Sequence, residues 1–271
     1  MPLDTSSYSL ALLRLDGRRW NELRRIHAVI SSQPAADGSS YLEMGNTKVI
    51  CTVTGPSEQK RTGPQQPTGP TASARIDVEV SVAGFSSVDR KKRSRTDKRT
   101  AEMQHILVSA LSDIVHTHLY PHSTILISLH VLSLDGGLLA ALINASTLAL
   151  VDAGIPMSDY LVACTTGSTV NNASSRAVPA RQTIPGIRSM ANEVDDPLLD
   201  LNGLEEQDLP FVTVATVGSE KGRVAVCFSE TRMMAERLEE MLAVGVDGCQ
   251  MIRKVLDASV KAHGRRMLDD T

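Results

Sequence analysis

The sequence predicts an α+β fold built from two halves, and two patterns support this prediction. Segments with apolar residues at every second position, typical of half-buried strands, alternate with segments whose apolar residues recur at helical spacing. A run of strands, a helix, a strand and a second helix fill residues 23–156, and a similar order returns in residues 157–271. Residues 1–22 precede both halves as an N-terminal arm.

The first half opens with three short strands, which we expect at Arg24–Ile30, Ser40–Gly45 and Thr47–Thr54. A tight-turn pair, Gly45-Asn46, joins the last two. The fourth strand, Arg75–Ala83, is the clearest because its apolar residues alternate regularly with polar ones.

Two helices follow in this half. Helical spacing predicts the first over Thr100–His118, and both Asp97 and Thr100 are candidates for its N-terminal cap. After a strand at Thr124–Leu134, the second helix covers Gly137–Ala153. It consists mainly of Ala, Leu and Ser, and a helix with such small side chains is expected to pack on both faces.

The second half repeats the theme with longer connections. A strand is expected at Tyr160–Thr166, and a hairpin is expected at Pro210–Val217 and Arg223–Ser229. A long helix over Met233–His263 is expected to break near Gly245–Gly248. Gly167–Pro197, rich in Ser, Asn, Ala, Arg and Pro, has no periodicity and is predicted to be a flexible surface insertion.

Composition excludes several classes of protein and site. The 271 residues carry a net charge of −3, so the overall charge does not indicate nucleic-acid binding. The four cysteines form no C-x-x-C pair, so we expect no metal site, and the runs around Cys51, Cys164 and Cys227 predict buried thiols. No P-loop, signal-peptide pattern or run of eighteen apolar residues occurs, so we expect an intracellular protein without cofactor or membrane segment.

One local cluster departs from the acidic balance of the chain. Seven of the ten residues in Arg90–Arg99 are basic, and the cluster lies directly before a predicted helix. Cations beside the free N–H groups of a helix start suit contacts to phosphate. Aromatic residues are almost absent there, so these contacts would be to the nucleic-acid backbone. A solvated loop and a nuclear localisation signal are the alternatives.

Two further segments are candidates for chemistry. Asp135-Gly136-Gly137 joins a strand to a helix, a geometry that can hold phosphate, but Leu138 and Leu139 offer neither a hydroxyl nor a cation. These residues by themselves favour a tight structural turn. Carboxylates cluster in Asp200–Asp208, where they could support acid–base chemistry or Mg²⁺ binding, although a solvated turn is the commoner case.

Motifs along nearly the whole chain resemble the RNase PH-like proteins, and especially the ring subunits of the eukaryotic RNA exosome. They are Leu15–Arg24, Ala36–Val49, Phe85–Ser87 with Arg95–Glu102, Asp135–Gly137, Ala149–Pro156, Leu199–Leu201 and Asp208–Pro210. The resemblance implies an RNase PH fold, similar to domain 2 of ribosomal protein S5, with two β-α-β-α-type halves.

The resemblance also implies a setting for the chain. It implies a six-membered ring of related subunits around a central channel, cap subunits with S1 and KH domains, and a separate hydrolytic exoribonuclease. Such complexes work in the nucleus, the nucleolus and the cytoplasm. Lys98 and Arg99, aided by Arg93 and Arg95, match the basic stretch that holds RNA.

The departures from the family pattern lie at the phosphate site. Active relatives carry Thr or Ser and then Arg after D-G-G, where this chain has Leu138 and Leu139. Active relatives also have an acidic pair E-D followed, after about five residues, by A-D. Here Glu206 stands where a catalytic Asp is expected, the loop is shortened, and only Asp208 matches.

We therefore expect a ring subunit that binds single-stranded RNA and threads it towards the hydrolytic 3′–5′ exoribonuclease, with no catalytic residue of its own. One alternative is an active phosphate-dependent exoribonuclease in which a partner subunit supplies the missing phosphate ligands. The other is a structural scaffold whose basic cluster is a nuclear localisation signal.

Overall fold

The computed structural model describes residues 14–58, 73–87, 90, 97–168, 197–218, 223–233 and 235–269. The first group of elements is β1 (Ile26–Ile30), β2 (Gly38–Met44), β3 (Thr47–Glu58), β4 (Arg75–Val82), α1 (Lys98–Ser112), a 3₁₀ turn (Thr117–Leu119), β5 (Ser123–Ser133) and α2 (Leu138–Asp152). The second group is β6 (Leu161–Gly167), β7 (Leu198–Leu199), α3 (Gly203–Asp208), β8 (Phe211–Val217), β9 (Arg223–Ser229) and α4 (Ala235–Asp269). The predicted α+β class is confirmed.

The strands form two sheets with helix α2 between them. The larger sheet has the order β1-β2-β3-β5-β4, in which only the β4–β5 pair is parallel, and the smaller sheet has the antiparallel order β7-β6-β8-β9. Helix α2 packs against β2 and β3 on one side and β6 and β8 on the other. Every residue from Leu138 to Leu150 is buried, which confirms the prediction of a helix packed on both faces.

Buried polar side chains attach α2 to the smaller sheet. The Asn144 Nδ2 donates to the carbonyl of Ala163 at 2.9 Å, and its Oδ1 accepts the N–H of the same residue at 2.8 Å. The Thr147 hydroxyl donates to the carbonyl of Leu161 at 2.7 Å. Because these buried groups have partners, the helix carries polar residues into the core without leaving their hydrogen bonds unmade.

A glycine allows α2 to approach the larger sheet closely. A Cβ on Gly38 would lie 2.4 Å from both the carbonyl oxygen of Ala149 and the nitrogen of Ala153. The next residue, Ser39, donates its backbone N–H to the Asp152 carboxylate at 2.7 Å. The Asp-Gly-Ser segment therefore marks the place where the start of β2 meets the end of α2 without room for a side chain.

Two predicted helices have different bounds. Helix α1 begins at Lys98 with Asp97 at its N-cap position, although the Asp97 side chain makes no capping hydrogen bond, and it ends at Ser112 instead of His118. Helix α4 is continuous, so the predicted break is wrong. A Cβ on Gly245 would meet Val214 at 2.9 Å, and one on Gly248 would meet Leu199 at 2.5 Å. Both glycines allow close packing of an unbroken helix against the smaller sheet.

The structure also tests the expectations about cysteines and membrane segments. Cys51, Cys164 and Cys249 are buried, and burial raises the pKa of the Cys249 thiol to about 12. Cys227 is exposed, which contradicts the prediction, because β9 is an edge strand. Within the described ranges, no helix combines the length and the apolar composition that crossing a membrane requires. Most of the predicted insertion, residues 169–196, lies outside the described residues.

Candidate functional site

A pocket of about 590 Å³ opens where the Asp-Gly-Gly turn, the first turn of α1, helix α3 and the end of β9 meet. Charged and apolar side chains share its wall. The residues that line it are Ser87, Arg99, Met103, Leu134, Asp135, Gly136, Leu138, Gly203, Leu204, Glu206, Gln207, Phe211 and Glu230. The pocket thus brings together three of the segments that the sequence singles out.

The Asp-Gly-Gly turn has left-handed backbone that favours glycine, with φ of +74° at Gly136 and +62° at Gly137. A Cβ on Gly136 would lie 2.6 Å from the backbone of Asn202. The Asp135 carboxylate accepts hydrogen bonds from Asn46 Nδ2 at 2.9 Å and from the N–H of Gly203 at 3.0 Å. The turn is therefore held against α3 by its own carboxylate.

Two buried ion pairs hold the acidic segment in place. Arg24 Nη2 lies 2.8 Å from Asp200 Oδ1, and the backbone N–H of Arg24 donates to Asp200 Oδ2 at 2.9 Å. Arg14 Nε donates to Glu205 Oε1 at 2.9 Å, and both of these side chains are almost completely buried. The expectation of a solvated turn is wrong for Asp200 and Glu205. Their partners, Arg14 in the N-terminal arm and Arg24 directly after it, were not connected with this segment by sequence spacing alone.

Helix α3 begins with a capping box, in which Asn202 Oδ1 accepts the N–H of Glu205 at 3.0 Å and Glu205 Oε2 accepts the N–H of Asn202 at 3.1 Å. Glu205 is thereby engaged in capping and in the ion pair with Arg14. The neighbouring carboxylate, Glu206, is the one that lines the pocket.

The Glu206 side chain extends from α3 and contacts the N-terminus of α2. The N–H of Gly137 donates to Glu206 Oε2 at 2.8 Å, and Arg99 Nη2 lies 3.8 Å from Glu206 Oε1. Burial raises the pKa of Glu206 above its ordinary value, although the Gly137 N–H and Arg99 act in the opposite direction. A carboxylate of the chain itself thus takes the hydrogen bond that the glycine turn could offer to another anion.

The two leucines that depart from the family pattern and Asp208, which matches it, differ in their surroundings. Leu138 lines the pocket and is 6% exposed, whereas Leu139 is 5% exposed and does not line it. Asp208 is exposed at the end of α3 and also lies outside the pocket lining. The pocket wall at the start of α2 is therefore apolar, and it offers neither a side-chain hydroxyl nor a cation.

The predicted RNA-binding residues divide into two groups. Arg93 and Arg95 lie outside the described residues. Lys98 and Arg99 form the exposed first turn of α1, and Arg99 reaches the pocket, where its Nη2 lies 3.0 Å from Glu230 Oε1. No sequence pattern indicated Glu230, because it follows β9 and lies 131 positions after Arg99 along the chain.

Metal binding receives no support from the residues that the structure describes, among which no group of three or more His, Cys, Asp or Glu side chains could hold a metal ion. The carboxylates of the pocket instead accept hydrogen bonds from backbone N–H groups or pair with Arg99.

Comparisons with known proteins identify relatives over almost the full length. The chain is 37% identical to the exosome complex component SKI6 of Saccharomyces cerevisiae over 265 residues, which are 97% of this chain and 96% of that protein. It is 34% identical to human exosome complex component RRP41 over 257 residues, or 93% of this chain and 92% of that protein. The model of the 3′ exoribonuclease family, domain 1, matches residues 22–156.

Solved structures share the fold at lower sequence identity. The crystal structure of rice Rrp46 aligns with a TM-score of 0.72 and 24% identity, over 92% of this chain and 100% of that one. A subunit of the Archaeoglobus fulgidus exosome with RNA bound to the active site aligns with a TM-score of 0.69 and 19% identity, over 92% and 95% of the two chains. The RNase PH fold expected from the motifs is confirmed, and the chain belongs to the RNase PH family, among relatives of the exosome components SKI6 and RRP41.

Proposed function

We propose that this chain is a non-catalytic ring subunit of the RNA exosome, which binds single-stranded RNA and passes it towards a hydrolytic 3′–5′ exoribonuclease. One observation carries the proposal. The Glu206 carboxylate accepts the Gly137 N–H at 2.8 Å, and Leu138 forms the neighbouring wall, so the turn that resembles a phosphate site faces a carboxylate and a hydrocarbon.

Phosphorolysis requires inorganic phosphate to be positioned and its charge to be neutralised. In this pocket a phosphate anion would meet the carboxylates of Glu206 and Glu230, and Arg99, the one arginine among the described residues of the lining, already pairs with Glu230 at 3.0 Å. The two carboxylates repel phosphate, and the start of α2 offers neither a hydroxyl nor a cation to bind it. Both features therefore disfavour phosphate binding. We infer that this subunit does not catalyse phosphorolysis and contributes no catalytic residue.

RNA binding depends on the first turn of α1. Lys98 and Arg99 are exposed there, and no acidic side chain occupies this turn, so two exposed cations lie beside the N–H groups of the helix start. Contacts of this kind recognise the phosphate backbone without reading base identity. We propose that Lys98 and Arg99, together with Arg93 and Arg95, hold RNA as it passes through the channel.

We propose that the chain assembles with other RNase PH-like ring subunits, with S1/KH cap subunits and with the hydrolytic exoribonuclease, in the nucleus, nucleolus and cytoplasm. Its relatives SKI6 and RRP41 are named as components of the exosome complex. The edge strand β9 carries Val224 at 42% exposure, and Phe85 is 68% exposed. Exposed apolar side chains of this kind are expected where partner subunits cover the surface of a protein. The proposed organisation is an arm of residues 1–22 and two halves, 23–156 and 157–271.

The proposal is tested by the decay of a 5′-labelled single-stranded RNA. The purified ring without its hydrolytic nuclease is incubated with Mg²⁺, with and without inorganic phosphate, and the products are separated on a denaturing gel. We expect intact RNA in both reactions. Nucleoside diphosphates that appear only with phosphate, and that disappear when this subunit is changed at Asp208→Asn, would instead establish an active phosphorolytic subunit.

A further inference from the structure

Arg99 is bound by two carboxylates although half of its side chain is exposed. Its guanidinium lies 3.0 Å from Glu230 Oε1 and 3.8 Å from Glu206 Oε1. The side chain of Arg99 is 51% exposed, so RNA can approach it from solvent. The group proposed to hold RNA is therefore already paired within the chain.

The two carboxylates are held differently. Glu206 belongs to α3, is 16% exposed and, besides its ion pair with Arg99, accepts a hydrogen bond from the N–H of Gly137. Glu230 follows the last residue of β9, is 35% exposed, and within the described residues its carboxylate pairs with Arg99 alone. Glu206 is therefore a fixed part of the pocket, whereas Glu230 can leave Arg99 without breaking another bond in the described part of the chain.

We propose that Glu230 is an intramolecular competitor of RNA at Arg99, and that it sets how tightly this subunit holds the RNA backbone. The inference rests on the proposed function and concerns the same site. A carboxylate and a phosphate group bind the same N–H donors of a guanidinium, so a phosphate must displace Glu230 before it makes its full contact. Affinity at Arg99 is reduced by the free energy of the Arg99–Glu230 pair.

Lys98 provides an internal contrast. It is exposed on the same turn of α1, and the described part of the chain contains no carboxylate that pairs with it and would compete with RNA. The two neighbouring cations therefore differ in the strength of their contacts with RNA phosphates. A contact with the RNA backbone that Glu230 weakens suits an RNA strand that has to move past the site, because each phosphate must also be released.

The test is a double-mutant cycle in the reconstituted ring. Fluorescence anisotropy with a labelled single-stranded RNA is measured for the wild type, Glu230→Gln, Arg99→Gln and the double variant over a range of KCl concentrations. We expect Glu230→Gln to raise affinity about two- to fivefold, the range for a partly exposed ion pair. We also expect the slope of log K against log salt to steepen by up to about 0.7, because one more cation is free to neutralise RNA.

The control is Glu240→Gln, which removes the same charge from an exposed pair with Arg237 on α4 and does not line the pocket. We expect it to leave affinity unchanged, and we expect Glu230→Gln to have no effect once Arg99 is Gln. An equal gain with and without Arg99, or no gain at all, would overturn the proposed competition. If Arg99→Gln alone leaves RNA affinity unchanged, the role of Arg99 in the proposed function fails as well.

Discussion

At the scale of single residues, the acidic segment is held by arginines that come from the other end of the chain. Asp200 and Glu205 pair with Arg24 and Arg14, and all four side chains are at least 95% buried. Removing one partner of such a pair leaves an uncompensated charge in the interior, which costs far more than the pair itself contributes.

We predict that Arg24→Met lowers the free energy of unfolding by about 3–5 kcal/mol, because Asp200 remains buried without its partner. Urea unfolding followed by circular dichroism measures the change. Lys261→Met is the matched control, since Lys261 is 67% exposed and pairs with Asp257 on the surface of α4. This control should change stability by less than about 1 kcal/mol, and equal losses in the two variants would contradict the prediction.

The raised pKa of Glu206 predicts a pH dependence of stability. Between its ordinary pKa of 4.5 and the raised value, the native chain holds a proton at Glu206 that the unfolded chain has released. The contribution of Glu206 to stability therefore falls as pH rises through this window. Unfolding of the wild type and Glu206→Gln at several pH values measures it, and we expect the wild type to lose stability relative to the variant as pH rises. A constant difference would contradict the pKa shift.

The sequence motifs predicted which residues belong to the candidate site, but they did not predict the distant residues with which these form ion pairs. The motifs drew attention to Arg99, Glu206 and Leu138, and the structure places all three in one pocket. Glu230 and Arg14 lie outside the motifs, and the motif that contains Arg24 does not reveal its partner Asp200, because charge pairs between distant residues leave no periodic pattern. The role of each residue in binding RNA or excluding phosphate stays a prediction.

At the scale of secondary-structure elements, hydrophobic periodicity predicted where most strands and helices lie, but it misread the glycines of α4. The predicted break rests on the low intrinsic helix propensity of glycine, which is a property of the residue alone. In the structure, Gly245 and Gly248 face β8 and β7, and the space for their missing side chains is filled by Val214 and Leu199. The reason for these glycines is therefore tertiary packing, which no local pattern contains.

We predict opposite effects for two Gly→Ala substitutions in α4. Gly248→Ala should lower the free energy of unfolding by about 1–3 kcal/mol, because its Cβ would lie 2.5 Å from Leu199 Cδ1 in a filled core. Gly264→Ala should raise it by up to about 1 kcal/mol, since no atom lies within 4 Å of its Cβ position and alanine favours the helix. Thermal unfolding of both variants measures the effects, and a stabilised Gly248→Ala would refute the packing argument.

At the scale of the whole molecule, α2 is the layer that both sheets share. The small side chains of this helix predicted that it packs on two faces, and its complete burial from Leu138 to Leu150 confirms this. The order of strands in the two sheets was not predictable, because strand pairing depends on contacts between distant segments. The apolar start of α2 also faces the pocket, so the same helix that joins the sheets closes the wall that resembles a phosphate site.

For the assembled ring, we predict that Lys98→Glu with Arg99→Glu weakens RNA binding at least about tenfold. The salt dependence of log K should fall by between about 0.7 and 1.4, because Lys98 makes a full phosphate contact and Arg99 a contact that Glu230 partly cancels. Filter binding at several salt concentrations measures both quantities. The control, Lys254→Glu with Arg265→Glu, makes the same charge change on exposed positions of α4. Unchanged binding by the Lys98 and Arg99 variant would favour the scaffold interpretation.

The ion pair between Arg24 and Asp200 also has a consequence for biosynthesis, because the two residues are separated by 176 positions. At the usual rate of translation, Asp200 is made roughly 10–35 seconds after Arg24. During that interval the nascent larger sheet carries an arginine whose buried partner does not yet exist. A ribosome that stalls before Asp200 therefore leaves a fragment that cannot neutralise this site, and such a fragment is open to chaperones and proteases for as long as the stall lasts.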